Sequence, residues 1–275
     1  MLGELRLGVF DRYTNFISKD MRTDRPTYNG LYTVDANLME YRHECFFSNI
    51  CLKGKSVLDI GSCVGATGAW VLDKGASYYH GVEYTPYLCD IAKENFQQYF
   101  PKKNWQITCA SMENFLIDNT FNYDVVIVAG VLHGLGSPSL ICRSLESIFN
   151  FAQYCIVESS HPRLEGVNVI PKIIENESFI SFGTSSMGDY QNKRQVEYLT
   201  SIPSMGFIKR YSSAFGFEST NNVYELLKNR CSVVYNPRGR YCVQLSKIGV
   251  KQSIGFANAM QNDNQIKAVD WQHIK

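Results

Sequence analysis

Val57-Leu58-Asp59-Ile60-Gly61-Ser62-Cys63-Val64-Gly65 is an apolar run that carries one acid and closes on two glycines spaced G-x-x-x-G. Strand-favouring residues without polar alternation suit a parallel strand buried on both faces. Glycines directly after such a strand let the backbone turn and approach a ligand without Cβ collisions. Residues 66–74 read as a helix. Strand, glycine loop and helix form half of a nucleotide-binding βαβ unit, whose ligand lies outside the carboxyl end of the strand. The next strand, residues 78–82, runs into Glu83. A carboxylate about 20 residues beyond a glycine loop is placed to accept both hydroxyls of a ribose.

The loop spacing discriminates between ligands. A dinucleotide site wants G-x-G-x-x-G, where the middle glycine admits a diphosphate to the helix amino terminus. Here Asp59 stands two residues ahead of the first glycine of a G-x-x-x-G loop. A carboxylate at that spot favours a ligand with an ammonium and a sulfonium over one with a diphosphate, because opposite charges stabilise each other at short range. S-adenosylmethionine has that charge pattern. The stretch 55–96 resembles the class I S-adenosylmethionine-dependent methyltransferases, whose first motif is an apolar pair, an acid, an apolar residue and G-x-x-x-G.

The resemblance spans roughly residues 30–247. It implies an α/β fold: a Rossmann-like, seven-stranded, mostly parallel sheet with helices on both faces, an N-terminal helical cap and an inserted substrate lid. Further strands are expected at 105–110, 123–130, 154–158, 222–227 and 240–246, with helices at 139–150 and 203–214. The implied cofactor contacts come from Asp59, Gly61, Ser62, Cys63 and Gly65, and from Glu83 and Tyr84. Ser111 and Met112 carry over as adenine contacts, and Ala129 and Gly130 follow the fourth strand. Within the family, Glu40-Tyr41-Arg42 and Gly130-Val131-Leu132-His133 with Ser137-Pro138 resemble the branch of tRNA wobble-uridine carboxymethyltransferases and their small-molecule relatives. That branch has a tyrosine before its histidine; here His133 comes one position early and Gly134 takes the expected place. Ordinary and carboxylated donor both stay open.

Methyl transfer from a sulfonium is an in-line displacement, so alignment of acceptor, methyl and sulfur is the protein's main task. An oxygen acceptor must lose a proton, whereas a neutral amine needs only its lone pair. His133 is the candidate general base, with an unperturbed pKa near 6.5. A structural histidine is the alternative. Glu158 and His161, after the fifth strand, are candidates to orient the acceptor or assist His133, the alternative being satisfaction of backbone groups at a strand end. Tyr32, Arg42 and Tyr190 are the candidate acceptor contacts. Arg42 offers a planar fork for a carboxylate or phosphate, against a solvent-facing alternative. The rings of Tyr28, Tyr32 and Tyr41 are candidates to meet the sulfonium.

With 275 residues and 45% apolar content, the chain can bury one full core. Residues 1–54 form a leader with a helix at 35–44, residues 55–247 the main domain with an insertion at about 162–202, and residues 248–275 a tail expected as a surface helix or disordered. Glycines, polar groups and aromatics mix in residues 179–190, the pattern of a functional lid. No apolar run approaches a membrane span, and residues 1–6 lack a basic lead into an apolar segment, so a cytoplasmic protein that touches no membrane is expected. The nine cysteines show no C-x-x-C pair, which argues for free thiols and against a metal site.

Lys and Arg number 27 against 26 Asp and Glu, a formal net charge of +1, so counterion release gives no broad drive toward a polyanion. The expected function is methyl transfer to oxygen or nitrogen of a small molecule, with a homodimer as a candidate assembly. A tRNA-modifying enzyme is the alternative, with basic pairs such as Lys102-Lys103 and Lys209-Arg210 as its scattered support. A nicotinamide oxidoreductase fits less well, since Pro101 spoils the Y-x-x-x-K match at 99–103 as a helix. A non-catalytic adenosyl-binding protein is the last alternative.

Overall fold

The computed structural model describes residues 8–13, 16, 36–160, 179–189, 194–222, 240–248 and 267–269; for residues 11, 36–38, 41, 160, 179, 181–189, 194–200, 220–222, 240 and 267–269 it describes the backbone only. Helices α1 (Val9–Arg12) and α2 (Ala36–Phe46) precede β1 (Ser56–Ile60), α3 (Ala66–Asp73), β2 (Tyr78–Glu83), α4 (Pro86–Tyr99), β3 (Trp105–Cys109), α5 (Met112–Asp118) and β4 (Tyr123–Ala129). Then follow α6 (Pro138–Phe151), β5 (Ala152–Ser160), β6 (Phe179–Asp189), β7 (Arg194–Pro203), α7 (Met205–Ala214), β8 (Phe217–Asn222), β9 (Arg240–Lys247) and β10 (Lys267–Val269). Local chemistry marks several of the starts. Ser111, Ser137 and Ser204 cap α5, α6 and α7 by accepting from the backbone N–H three residues on, and proline opens α4 and α6.

Seven strands form one sheet in the order β3-β2-β1-β4-β5-β9-β8. The first five run parallel and β9 is antiparallel to both of its neighbours. Strand alternation divides the core into two layers. Leu58, Ile60, Val126 and Val128 face α5, α6 and α7 through Leu116, Leu145, Ile148 and Phe207. Val57, Val125, Ile127 and Ile156 face the other helices through Phe10, Phe46, Trp70 and Phe96. The sheet is therefore covered on both faces, as its continuous apolar strands require.

Two expectations are corrected. The strand after α7 lies at Phe217–Asn222, starting five residues ahead of the expected 222–227. Gly216, at φ 78°, ends α7 and hands the chain straight to Phe217, which is buried in the core. The positive φ that suits glycine thus joins helix to strand with no intervening loop. Residues 223–227 lie outside the described residues. In the tail, Lys267–Val269 pair parallel with β6 as a strand. The insertion contains a long antiparallel hairpin, β6 with β7, in a second sheet ordered β10-β6-β7.

The leader helix is fastened to the sheet. Arg42 Nη2 donates to Glu158 Oε2 at 2.7 Å. Gln244 Nε2 donates to the Phe46 carbonyl and accepts from Asn49 through Oε1, both at 3.3 Å. The Glu158 side chain is 0% exposed and that of Arg42 17%. Removing one member of such a pair leaves a buried charge without its counterpart and costs about 3–5 kcal/mol, whereas replacing both by apolar groups is often close to neutral. Arg42→Leu should therefore lower the unfolding free energy by about 3 kcal/mol or more. Arg42→Leu with Glu158→Leu should recover most of that loss in urea titrations.

Candidate active site

At the carboxyl end of β1 the chain makes an abrupt loop with three positive φ angles: Gly61 at 78°, Cys63 at 52° and Gly65 at 87°. The loop is strung under β2, since the N–H groups of Gly61 and Ser62 donate to the Val82 carbonyl at 2.8 and 3.1 Å. Close packing adds to the need for glycine. A Cβ on Gly61 would overlap the Val131 side chain, and one on Gly65 would overlap the Phe96 ring. Phe16 packs against that ring with centroids 5.0 Å apart.

Glu83 closes the loop from above. Its Oε2 accepts from Cys63 N–H at 3.0 Å and its Oε1 from Thr85 N–H at 2.9 Å. A carboxylate has about four acceptor positions, so one lone pair on each oxygen is left for a diol. The end of β3 is held to the same point, because Ala110 N–H donates to the Glu83 carbonyl at 3.0 Å. Ser111 lies there and its hydroxyl caps α5. Met112 is turned into the core beneath, and Tyr84 is 55% exposed on the rim.

Asp59 is 3% exposed, on the sheet face covered by α2, α3 and α4. The Tyr79 hydroxyl donates to its Oδ2 at 3.0 Å. Burial pushes the Asp59 carboxyl up to about 6; hydrogen bonds from Tyr79 and Thr67 and the charge of Arg42 oppose the shift, and Glu83 adds to it. Burial likewise raises the Tyr79 phenol well above its ordinary value, so it stays protonated and donates. Behind Thr67 stands His43, whose Nδ1 lies 2.7 Å from the Met39 carbonyl. A carbonyl only accepts, so Nδ1 carries the proton and Nε2, 3.3 Å from Thr67 Oγ1, is an acceptor. Burial and the Arg42 charge push His43 down to about 3, which keeps it neutral.

After β4, Gly130 at φ 72° donates its N–H to the Glu158 carbonyl at 2.9 Å. A single 3₁₀ turn, Leu132–Gly134, follows and carries His133, which is partly buried. Ser201 N–H on β7 donates to the Leu135 carbonyl at 3.3 Å, so the base of the inserted hairpin docks on this turn.

The structure thus gathers Asp59, Gly61, Ser62, Cys63, Gly65 and Glu83 into one loop assembly, with the chain at Ser111 tied to its upper edge. Ala129 and Gly130 lie on the adjacent strand end. Glu158, expected at the strand end, has its carboxylate on Arg42; this also places Arg42 against the sheet and not in solvent. His161, Tyr28, Tyr32, Tyr190 and the Tyr41 side chain lie outside the described residues. Tyr79, Thr67 and His43 were missed by sequence reasoning. One signal was present: Gly68 in mid-helix and Gly81 in mid-strand are poor choices locally, and a methyl on either would crowd Tyr79. Among the described residues no group of three His, Cys, Asp or Glu side chains gathers as a metal site. Nor, among them, is any helix long and apolar enough to cross a membrane.

Residues 57–150 match the family model of a methyltransferase domain. No curated protein matches the sequence. Among solved structures, the chain is similar to an S-adenosylmethionine-dependent methyltransferase from Clostridium acetobutylicum, with TM-score 0.54 and 10% identity over 87% of this chain and 99% of that one. It is similar to the CcbJ methyltransferase from Streptomyces caelestis, with TM-score 0.54 and 12% identity over 82% and 96%. It is also similar to a Synechocystis magnesium protoporphyrin IX methyltransferase with bound S-adenosylmethionine, with TM-score 0.50 and 13% identity over 87% and 97%. Identities this low show the fold alone. With the matched segment, they give residues 57–150 as a methyltransferase domain set in a Rossmann-like fold of the kind seen in S-adenosylmethionine-dependent methyltransferases.

Proposed function

We propose that the protein transfers a methyl group from S-adenosylmethionine to an oxygen or nitrogen of a small-molecule acceptor, with His133 as the general base for an oxygen acceptor. One contact carries this reading: Val131 fills the space above Gly61, so the turn bearing His133 adjoins the donor loop. The donor set fits the cofactor. Two carboxylates, Asp59 and Glu83, end adjacent strands β1 and β2, and no Lys or Arg lies in residues 61–65 to neutralise a diphosphate. Glu83 would hold the ribose hydroxyls and Asp59 the ammonium of the amino-acid end.

Bound there, the donor supplies an electrophilic methyl on a sulfonium. The protein's residues do the remaining work. The loop and Glu83 fix the adenosyl group, the Leu132–Gly134 turn presents the acceptor edge, and His133 takes the proton that an attacking hydroxyl gives up. The formal net charge of +1 supports a small acceptor over a polyanion. A fold-level analogy adds that the Synechocystis neighbour is named for a small acceptor, magnesium protoporphyrin IX.

Thermal-shift titration with S-adenosylmethionine, S-adenosylhomocysteine and NAD tests the donor. The adenosyl compounds should raise the melting temperature and NAD should not. S-adenosylhomocysteine release, measured across hydroxyl- and amine-bearing small molecules and bulk tRNA, tests the acceptor; turnover on tRNA alone would overturn the small-molecule reading. His133→Ala should keep donor binding and slow transfer to an oxygen acceptor by about 10²–10⁴-fold. Equal turnover in both proteins would reduce His133 to a structural residue.

Glu83→Gln replaces a charged acceptor by a neutral one and should weaken S-adenosylhomocysteine by about 10- to 100-fold, a hydrogen bond to a charged group being worth about 1.5–3 kcal/mol. The sign of the pH dependence follows from Asp59, whose folded pKa of about 6 lies above its unfolded value of about 3.9. Folding without ligand therefore favours the protonated acid, and its contribution to stability falls as pH rises from about 4 to about 6. An ammonium needs the carboxylate, so ligand affinity should rise over the same window and level off above it. Calorimetry from pH 5 to 8 reads this, and Asp59→Asn should flatten the profile.

A further inference from the structure

We propose that Tyr79 is a positioning residue for the donor, its buried hydroxyl holding the Asp59 carboxylate in the orientation that receives the ammonium. The inference rests on the donor reading above and deepens it.

Three observations on separate elements carry it. The hydroxyl donates to Asp59 Oδ2 at 3.0 Å, and Tyr79 and Asp59 are 0% and 3% exposed. A phenol buried in a sheet interior needs a partner for its O–H, and an apolar ring of the same size would have met the packing alone. Glycines make room for the residue. A methyl on Gly81 would lie 2.8 Å from Ile107 and 2.9 Å from both the Tyr79 hydroxyl and Ser62 Oγ, and one on Gly68 would overlap the Tyr79 and Phe96 rings. Gly68 sits inside α3, where alanine would otherwise be favoured by about 1 kcal/mol. The fold therefore gives up helix preference on α3 to seat a tyrosine whose polar end meets the acid. Phe96 packs against the ring at a tilt of 34°, with centroids 5.3 Å apart.

The groups that bear on Asp59 leave the orienting role to Tyr79. On α2, Arg42 is committed to Glu158 and His43 is neutral. On α3, the single hydroxyl proton of Thr67 is shared between Asp59 and the acceptor Nε2 of His43. On β2, Glu83 is negative and can only repel. A phenol that cannot ionise near neutral pH always donates, so Oδ2 is fixed and the remaining lone pairs of the carboxylate are left for the cation. In Tyr79→Phe the carboxylate loses both a hydrogen bond and its orientation, and its proton affinity rises.

Isothermal titration of the full chain with two probes reads these effects. S-adenosylhomocysteine carries the ammonium; 5′-methylthioadenosine shares its adenosyl thioether and lacks the amino-acid end. In Tyr79→Phe, S-adenosylhomocysteine should weaken on the order of tenfold, its pH midpoint should move upward, and 5′-methylthioadenosine should bind as to the wild type. Asp59→Asn keeps the tyrosine in place and should reproduce the selective loss; adding Tyr79→Phe to it should cost nothing further. Equal weakening of both probes in Tyr79→Phe would make Tyr79 a packing residue and overturn the inference, as would no change in either. A selective loss that Asp59→Asn fails to reproduce would overturn it too. Wild-type protein that binds neither probe would overturn the donor reading itself.

Discussion

A buried carboxylate with no counter-ion of its own among the described residues is the constraint on which this site turns. Asp59 lies at the end of a dry central strand and receives two hydroxyl hydrogen bonds and part of the field of an arginine already paired elsewhere. That is enough to hold it in place and too little to cancel the cost of burial, so its proton leaves only near pH 6. Such a group is stabilised by any ligand that brings a positive charge, and is further destabilised by one that brings a negative charge. On the proposed reading, electrostatics at Asp59 favours a sulfonium nucleotide over a dinucleotide before any shape complementarity enters.

The surroundings of Asp59 are built to keep it in that condition. Glycines at 68 and 81 leave room for Tyr79, and Gly61 leaves room for Val131 of the neighbouring turn. Arg42 reaches in from the leader helix and pairs through Nη2 with Glu158, 116 residues away in the chain. The pair fastens α2 over the sheet while leaving only a long-range share of positive charge at Asp59. Had Arg42 paired with Asp59 directly, the acid would be neutralised and would offer a ligand cation little.

These relations explain which parts of the molecule were legible in the sequence. The donor loop was, because its logic is local: a strand, an acid and two glycines within nine residues, then Glu83 at the end of the next strand. A seven-stranded, mostly parallel sheet followed from the family that this pattern resembles. Arg42 was not legible, since amphipathic spacing cannot say which carboxylate 116 residues on will face a helix. Tyr79 was hidden as well, one tyrosine among 17, made special by its hydroxyl meeting Asp59, 20 residues back in the chain. The shift of β8 to residue 217 turned on one backbone torsion at Gly216, where the sequence allowed either a loop or an immediate strand.

The proposed acceptor side has the opposite construction. Its edge is assembled from the turn after β4, the strand end at Glu158 and the base of a hairpin whose strands begin some fifty residues later in the chain. No short pattern encodes such an assembly, because each piece is positioned by a different long-range contact: Val131 on Gly61, Gly130 on Glu158, Ser201 on Leu135. Two of these join the acceptor edge to the main sheet, and the third joins it to the second sheet. Changes in the hairpin can therefore alter what the turn presents without touching Asp59, Tyr79 or Glu83. Under the proposed function, donor binding and acceptor choice are separable, because the first rests on neighbouring strands and the second on distant segments brought to their rim.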